Sequence, residues 1–287
     1  IKWRSARPDS DYEGIKPLLS EVLKLVKESA VAKSEVLGCS PYEALMDEYT
    51  PGLRQETVDP IFSDIEEFLP DFLNAVLEKQ AMVKQPSIPE GPFPLDQQRA
   101  LGHSLMETIG FDFNQGRLDV SLHPFSGGTP DDLRITTRYN EDDFMSGLMG
   151  ILHETGHALY EKNLPKEWRH QPVGEARGMD IHESQSLLIE MQACRSREFL
   201  SYAIPLMKKL FKKEGPEWEL NNLYQIYTTV KPSMIRVDAD EVTYPAHVIL
   251  RYNIEHALIT DQMTLNDLPN AWNEGMSNLL GLKPSNH

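Results

Sequence analysis

With 287 residues, 40% hydrophobic and 25% charged, the chain has the composition of a globular protein large enough for a substantial core; disorder, collagen-like repetition and membrane spanning do not fit it. Its longest apolar runs, such as residues 246–250, fall far short of the roughly 20 residues that a bilayer-spanning helix needs. A net charge of −16, from 28 basic and 44 acidic residues, works against binding nucleic acid or an anionic membrane through a general field, so an anionic ligand must be gripped by a few placed arginines.

Residues 9–37 repeat apolar positions at helical spacing (Tyr12, Ile15, Leu18, Leu19, Val22, Leu23, Leu25, Val26), and residues 58–82 do so again. Pro86, Pro89, Pro92 and Pro94 with Gly91 then break regular structure over residues 85–94. The main boundary is placed there, between an N-terminal helical region, 1–85, and a second region, 86–287. A helix over 96–109 precedes two Val/Ile/Thr-rich segments, 117–123 and 133–139, which read as strands joined by a linker, 124–131, containing Gly127, Gly128 and Pro130. A small antiparallel sheet is expected from them. Helices are expected over 140–163, 177–211, 216–230, 246–260 and 268–279, so the fold class is mainly α with one small sheet. Cys39 and Cys194, far apart in sequence, suit a reduced cytoplasmic protein better than a disulfide framework.

The run from Leu152 to Tyr160 contains His153-Glu154-Thr155-Gly156-His157, an HExxH motif, on a stretch with its own helical signals: Asn140 as cap, Asp143 three residues on, and Pro165 as stop. Histidines four apart lie one turn apart on the same face, where two imidazoles can share one metal, while Glu154 can reach water beside it. A hydrolytic zinc centre keeps three protein ligands and an open position, so a third ligand must come from elsewhere. Glu175, Asp180, His182, Glu183 and Glu190 are the downstream candidates. Glu175 and Asp180 sit near a helix start, where acidic residues serve as end charges, and Glu183 and Glu190 lie two turns apart on one face. The residues alone leave that choice open.

Five motifs in order are similar to those of the carboxypeptidase Taq (M32) family of metallocarboxypeptidases: His123-Pro124-Phe125, Asp132-Leu133-Arg134-Ile135-Thr136, the HExxH run, His182-Glu183-Ser184-Gln185, and Ile235-Arg236-Val237-Asp238-Ala239-Asp240. The resemblance implies a multi-helix, gluzincin-like fold with the sheet beside the metal helix. It also implies Glu183 as third ligand, one zinc per chain with cobalt as an alternative ion, release of single residues from peptides with a free C-terminus, and a homodimer. Family members are expected to be longer at both ends, continuing past a GxxQDxHW motif after Leu282. A zinc-binding relative without turnover is therefore the alternative reading, and an endopeptidase of the same chemistry a further one.

Within that frame Glu154 is expected to act as general base and then general acid. A terminal carboxylate calls for a bidentate arginine, for which Arg134 and Arg236 are the candidates, each set against an internal ion pair. Tyr244 and His247 are candidate donors to the substrate or the oxyanion. His182 and Gln185 are expected to orient the ligands, and His123 to hold the sheet edge against the metal helix.

Overall fold

The computed structural model describes residues 2–283, apart from the side chain of Asp238. In chain order the elements are α1 (Lys2–Ala6), α2 (Tyr12–Leu37), α3 (Pro41–Tyr49), α4 (Gln55–Ala81), α5 (Leu95–Thr108), β1 (Gly116–Val120), β2 (Phe125–Thr129), β3 (Asp132–Thr137), α6 (Phe144–Lys162), α7 (Met179–Leu187), α8 (Arg197–Phe211), α9 (Leu220–Tyr227), α10 (Tyr244–Ile259) and α11 (Leu268–Leu280). They form two compact units, one from the segments up to Val83 and from Val230 onward, the other running from Lys84 to Thr229. By backbone proximity the described residues from Val230 onward group with the N-terminal helices, whereas the sequence places them with 86–229. No helix among the described residues is long and apolar enough to cross a membrane.

In the first unit the helix ends follow local chemistry. Asp11 caps α2 by accepting from the Gly14 amide, Gly38 ends it in the left-handed conformation at φ 65°, and Ser40 and Glu43 form a reciprocal capping box at the start of α3. Leu69 and Leu73 of α4 pack with Ala246, Leu250 and Ile254 of α10 and Met276, Leu279 and Leu280 of α11 to make its core. Asp240 organises the entry to α10, accepting from the amides of Lys231, Val242 and Thr243 and from the Thr243 hydroxyl.

The second unit is built around α6. Asp143, and not Asn140, is its N-cap, accepting from the amides of Met145 and Ser146; the Asn140 side chain instead accepts from Asp142 in the preceding turn. Leu148, Met149, Ile151, Leu152, Thr155 and Ala158 are all buried, the signature of a helix covered on most sides. On one side Phe93, Phe144, Phe211 and Trp218 form an aromatic cluster with ring centroids 4.8–6.2 Å apart. On another, Ile151 and Ala158 meet Met106, Phe111, Leu133 and Ile135 under the sheet. Trp218 is fully buried against the three phenylalanines, so Trp218→Ala should cost about 3–5 kcal/mol, read as a lowered urea midpoint of this unit.

The sheet is three-stranded with order β1-β3-β2, and mixed where an antiparallel pair was expected. Residues 125–129, read as part of a linker because of their glycines, are themselves a strand. A two-residue turn at Pro130 and Asp131 folds β2 antiparallel onto β3, pairing Thr129 with Asp132 and Phe125 with Thr136. Residues 121–124 cross the end of β3, where the Ser121 hydroxyl bonds that of Thr136. That crossover leaves β1 parallel to β3, with Gly116 opposite Leu133 and Val120 opposite Thr137. Gly128 has φ 105°, and a Cβ there would lie 2.1 Å from the Asp132 carbonyl oxygen, so this strand needs the very glycine that hid it.

The helix expected over 177–211 is three pieces. α7 passes into a π-helical turn, Leu188–Ala193, in which the Cys194 amide bonds the Ile189 carbonyl five residues back, and Ser196 then caps α8. A π-turn leaves no residue-level signature as plain as a proline, so the uniform apolar periodicity conceals it.

Candidate metal centre

α6 supplies His153 and His157 one turn apart, and α7 lies against that face. The close approach depends on Gly156: a Cβ there would sit 2.6 Å from Ser186 Cα and 2.7 Å from the Gln185 carbonyl oxygen. Backbone against backbone, the two helices bring Glu183 to the histidines. Its Oε2 lies 3.1 Å from His157 Nε2 and its Oε1 3.8 Å from His153 Nε2, and one ligand atom from each of the three residues falls within 4.8 Å of the others. Ligands about 2.0–2.1 Å from a tetrahedral zinc stand roughly 3.3 Å apart, so the donor types and their spacing fit such an ion.

The outer ring nitrogens of both histidines are also occupied. His153 Nδ1 is 2.9 Å from Glu190 Oε2, and the other oxygen of Glu190 accepts from Arg195. His157 Nδ1 is 2.7 Å from His182 Nδ1, whose Nε2 is in turn 2.8 Å from Glu161 Oε1. If His157 offers Nε2 to a metal, its Nδ1 carries the proton and donates to His182, which donates onward to Glu161; one tautomer of each ring satisfies the whole chain.

Electrostatics separate the carboxylates. Glu183 is held below the usual carboxylate range, first by its hydrogen bond with His157. Burial favours the neutral form of Glu190, but the hydrogen bond from His153 and the charge of Arg195 outweigh it and lower its pKa. For His153 burial disfavours the charged ring, yet the hydrogen bond and charge of Glu190, with Glu183 and Glu154 behind it, raise its pKa. Glu154 differs from all of these. It is 8% exposed and makes no hydrogen bond or ion pair with the described residues, and burial pushes its pKa up against the opposing pull of both histidines.

The whole chain, residues 1–287, matches the carboxypeptidase Taq (M32) metallopeptidase family. It belongs to that family. Thermostable carboxypeptidase 1 of Thermus thermophilus is 39% identical over 299 residues, covering 99% of this chain and 57% of the relative. Among solved structures, metallocarboxypeptidase 1 of Trypanosoma cruzi superposes with a TM-score of 0.95 at 42% identity, covering 98% of this chain and 56% of that one. The M32 carboxypeptidase of Deinococcus radiodurans superposes with a TM-score of 0.90 at 32% identity. The chain thus spans a little over half the length of the M32 proteins it matches.

The other M32-type motif residues lie as follows. Arg134, on β3, pairs with Asp132 at 2.7 Å, with both side chains largely exposed. The His123 ring is exposed; its carbonyl accepts from the hydroxyls of Ser121 and Thr136, while the next residue, Pro124, borders Gly150 of α6. The Gln185 side chain bonds the neighbouring Ser184, and its backbone packs on Gly156. Arg236, Tyr244 and His247 belong to the first unit. There Arg236 donates to the Tyr244 hydroxyl at 2.9 Å and its guanidinium lies over that ring; of its acidic neighbours, Asp240 has its oxygens taken up at the start of α10, and the side chain of Asp238 lies outside the described residues. His247 is 1% exposed, and its pKa is lowered, chiefly by burial. The sequence reading missed Glu161 and Arg195. Glu161 was within reach, because it extends the four-residue spacing of His153 and His157 by one more step.

Proposed function

We propose that this chain carries the catalytic metal centre of a carboxypeptidase, holding one zinc ion through His153, His157 and Glu183, with cobalt able to replace it, and releasing C-terminal residues from peptides. The observation that carries this reading is Glu154, a buried carboxylate without a partner, within the same helical turn as two convergent imidazoles. A zinc ion held by His153, His157 and Glu183 would supply Lewis-acid chemistry, lowering the pKa of a bound water toward about 7 and polarising the scissile carbonyl. Glu154 would take the proton from the attacking water and return it to the leaving amine. Because the carboxylate form is required, turnover should fall as acid protonates Glu154.

One further feature supports a peptide substrate. β2 is an edge strand lying against α6, and such an edge can pair with an extended backbone without reading its side chains. Arg134, Arg236, Tyr244 and His247 are candidates for binding the substrate and its terminal carboxylate. An Arg→Lys change at the true site should raise KM for substrates with a free C-terminus, because the bidentate fork is lost. A homodimer and a cytoplasmic location, the latter in keeping with two free cysteines, complete the proposal.

The deciding experiment is metal content by mass spectrometry together with hydrolysis of a blocked dipeptide bearing a free C-terminus. One metal per chain with turnover is the expected result. Cleavage of a C-terminally amidated peptide would instead indicate an endopeptidase. Metal without any turnover would mean that residues outside this chain are needed, a second reading favoured by its covering 57% of the Thermus relative.

A further inference from the structure

We propose that Glu190, presented on the π-helical turn and backed by Arg195, is a positioning residue that fixes His153 in the ring orientation and tautomer needed to bind the metal. This deepens, and rests on, the metal-centre reading above. Two glutamates approach His153 from opposite edges of its ring. Glu183 faces Nε2 at 3.8 Å, on the side where the donor atoms converge, whereas Glu190 faces Nδ1 at 2.9 Å, on the far side. A carboxylate accepting from Nδ1–H leaves the Nε2 lone pair free, so Glu190 selects the metal-binding tautomer without contacting the ion itself.

Glu190 is unsuited to be a ligand. One of its oxygens faces His153, the other accepts from Arg195, and its side chain is 13% exposed against 36% for Glu183. A buried carboxylate of this kind requires a paired cation, and Arg195 supplies one from five residues further on. The backbone accounts for the placement. Over seven residues an uninterrupted α-helix would stack Glu190 almost directly over Glu183, about 10 Å further along the axis. The wider turn at Leu188–Ala193 changes that register where Glu190 sits, and the chain leaves helical form at Cys194 just before Arg195.

The test measures zinc dissociation constants by competition with a chromophoric chelator, and the visible spectrum of the cobalt form, for wild type, Glu190→Ala, Glu190→Gln, Arg195→Met and Glu183→Gln. Loss of a group that orients a ligand typically weakens metal binding about 10–100-fold, which is the expectation for Glu190→Ala. Glu190→Gln keeps the volume and an acceptor oxygen, so it should lose less and alter the cobalt spectrum less. Arg195→Met should weaken binding in the same direction, and Glu183→Gln should exceed them all. Circular dichroism of the metal-free proteins shows whether each variant folds; if Glu190→Ala does not, the isosteric Gln variant decides. Affinities for the Glu190 variants within about threefold of wild type, set against that 10–100-fold expectation, overturn the proposal, as does a loss for Glu190→Ala equal to that of Glu183→Gln, which would make it a ligand. A wild-type chain that binds no zinc would instead overturn the underlying metal-centre reading.

Discussion

Glu154→Gln is expected to lower kcat by about 10²–10⁴-fold while leaving one metal per chain, because it removes the proton-accepting group and nothing that faces the ion. The substitution suits the site. Glu154 makes no hydrogen bond or ion pair with the described residues, so an amide of the same shape breaks none. Removing a buried carboxylate whose charged form is disfavoured by burial should leave the folded state as stable or slightly more so. Single-turnover hydrolysis alongside metal analysis separates the outcomes. Retained metal with retained turnover would remove Glu154 from the chemistry, and lost metal would make it part of the binding set.

Gly156→Ala should be nearly as damaging, against the preference of a helix for alanine over glycine by about 1 kcal/mol. The added Cβ would stand 2.6 Å from Ser186 Cα, 2.7 Å from the Gln185 carbonyl oxygen and 3.1 Å from the Ser186 amide nitrogen. These are main-chain atoms of α7, and no side chain can rotate away to relieve the contact. Overpacking of this kind typically costs about 1–3 kcal/mol, so it equals or exceeds the propensity gain. Displacement of α7 carries Glu183 with it, and a centre that tolerates only about 0.5 Å of misplacement should lose zinc affinity tenfold or more. Gly150→Ala on the same helix is the control, since its Cβ would meet Pro124 at an ordinary 3.6 Å and should be neutral or stabilising. Equal zinc affinity and equal melting temperature for Gly156→Ala and wild type would show that the helices have room to spare.

How legible these features are in the sequence depends on the range of the interaction. The helices around Phe144–Lys162 and Tyr244–Ile259 follow from apolar spacing and end signals, and the four-residue step from His153 to His157 places both rings on one face. Those signals are local. The choice among Glu175, Asp180, His182, Glu183 and Glu190 is not, since it depends on how two helices pack. Packing is decided here by the absence of a side chain at Gly156, which in the sequence is only a weak helix residue. β2 is hidden in the sequence for a related reason: Gly127 and Gly128 look like turn residues until the close backbone at Asp132 is seen. The π-turn and the Arg195 contact need the three-dimensional path of the chain.

The chain's division into a continuous unit and an interrupted one bears on its order of synthesis. His153, His157, Glu183 and Glu154 all lie between Lys84 and Thr229, in the uninterrupted unit. Domains fold as units as the chain emerges, so the unit that carries these four residues can mature on the ribosome while the other unit still waits for α10 and α11 to be translated. Until then Leu69 and Leu73 have no partners from those helices, and their apolar surface stays uncovered by them.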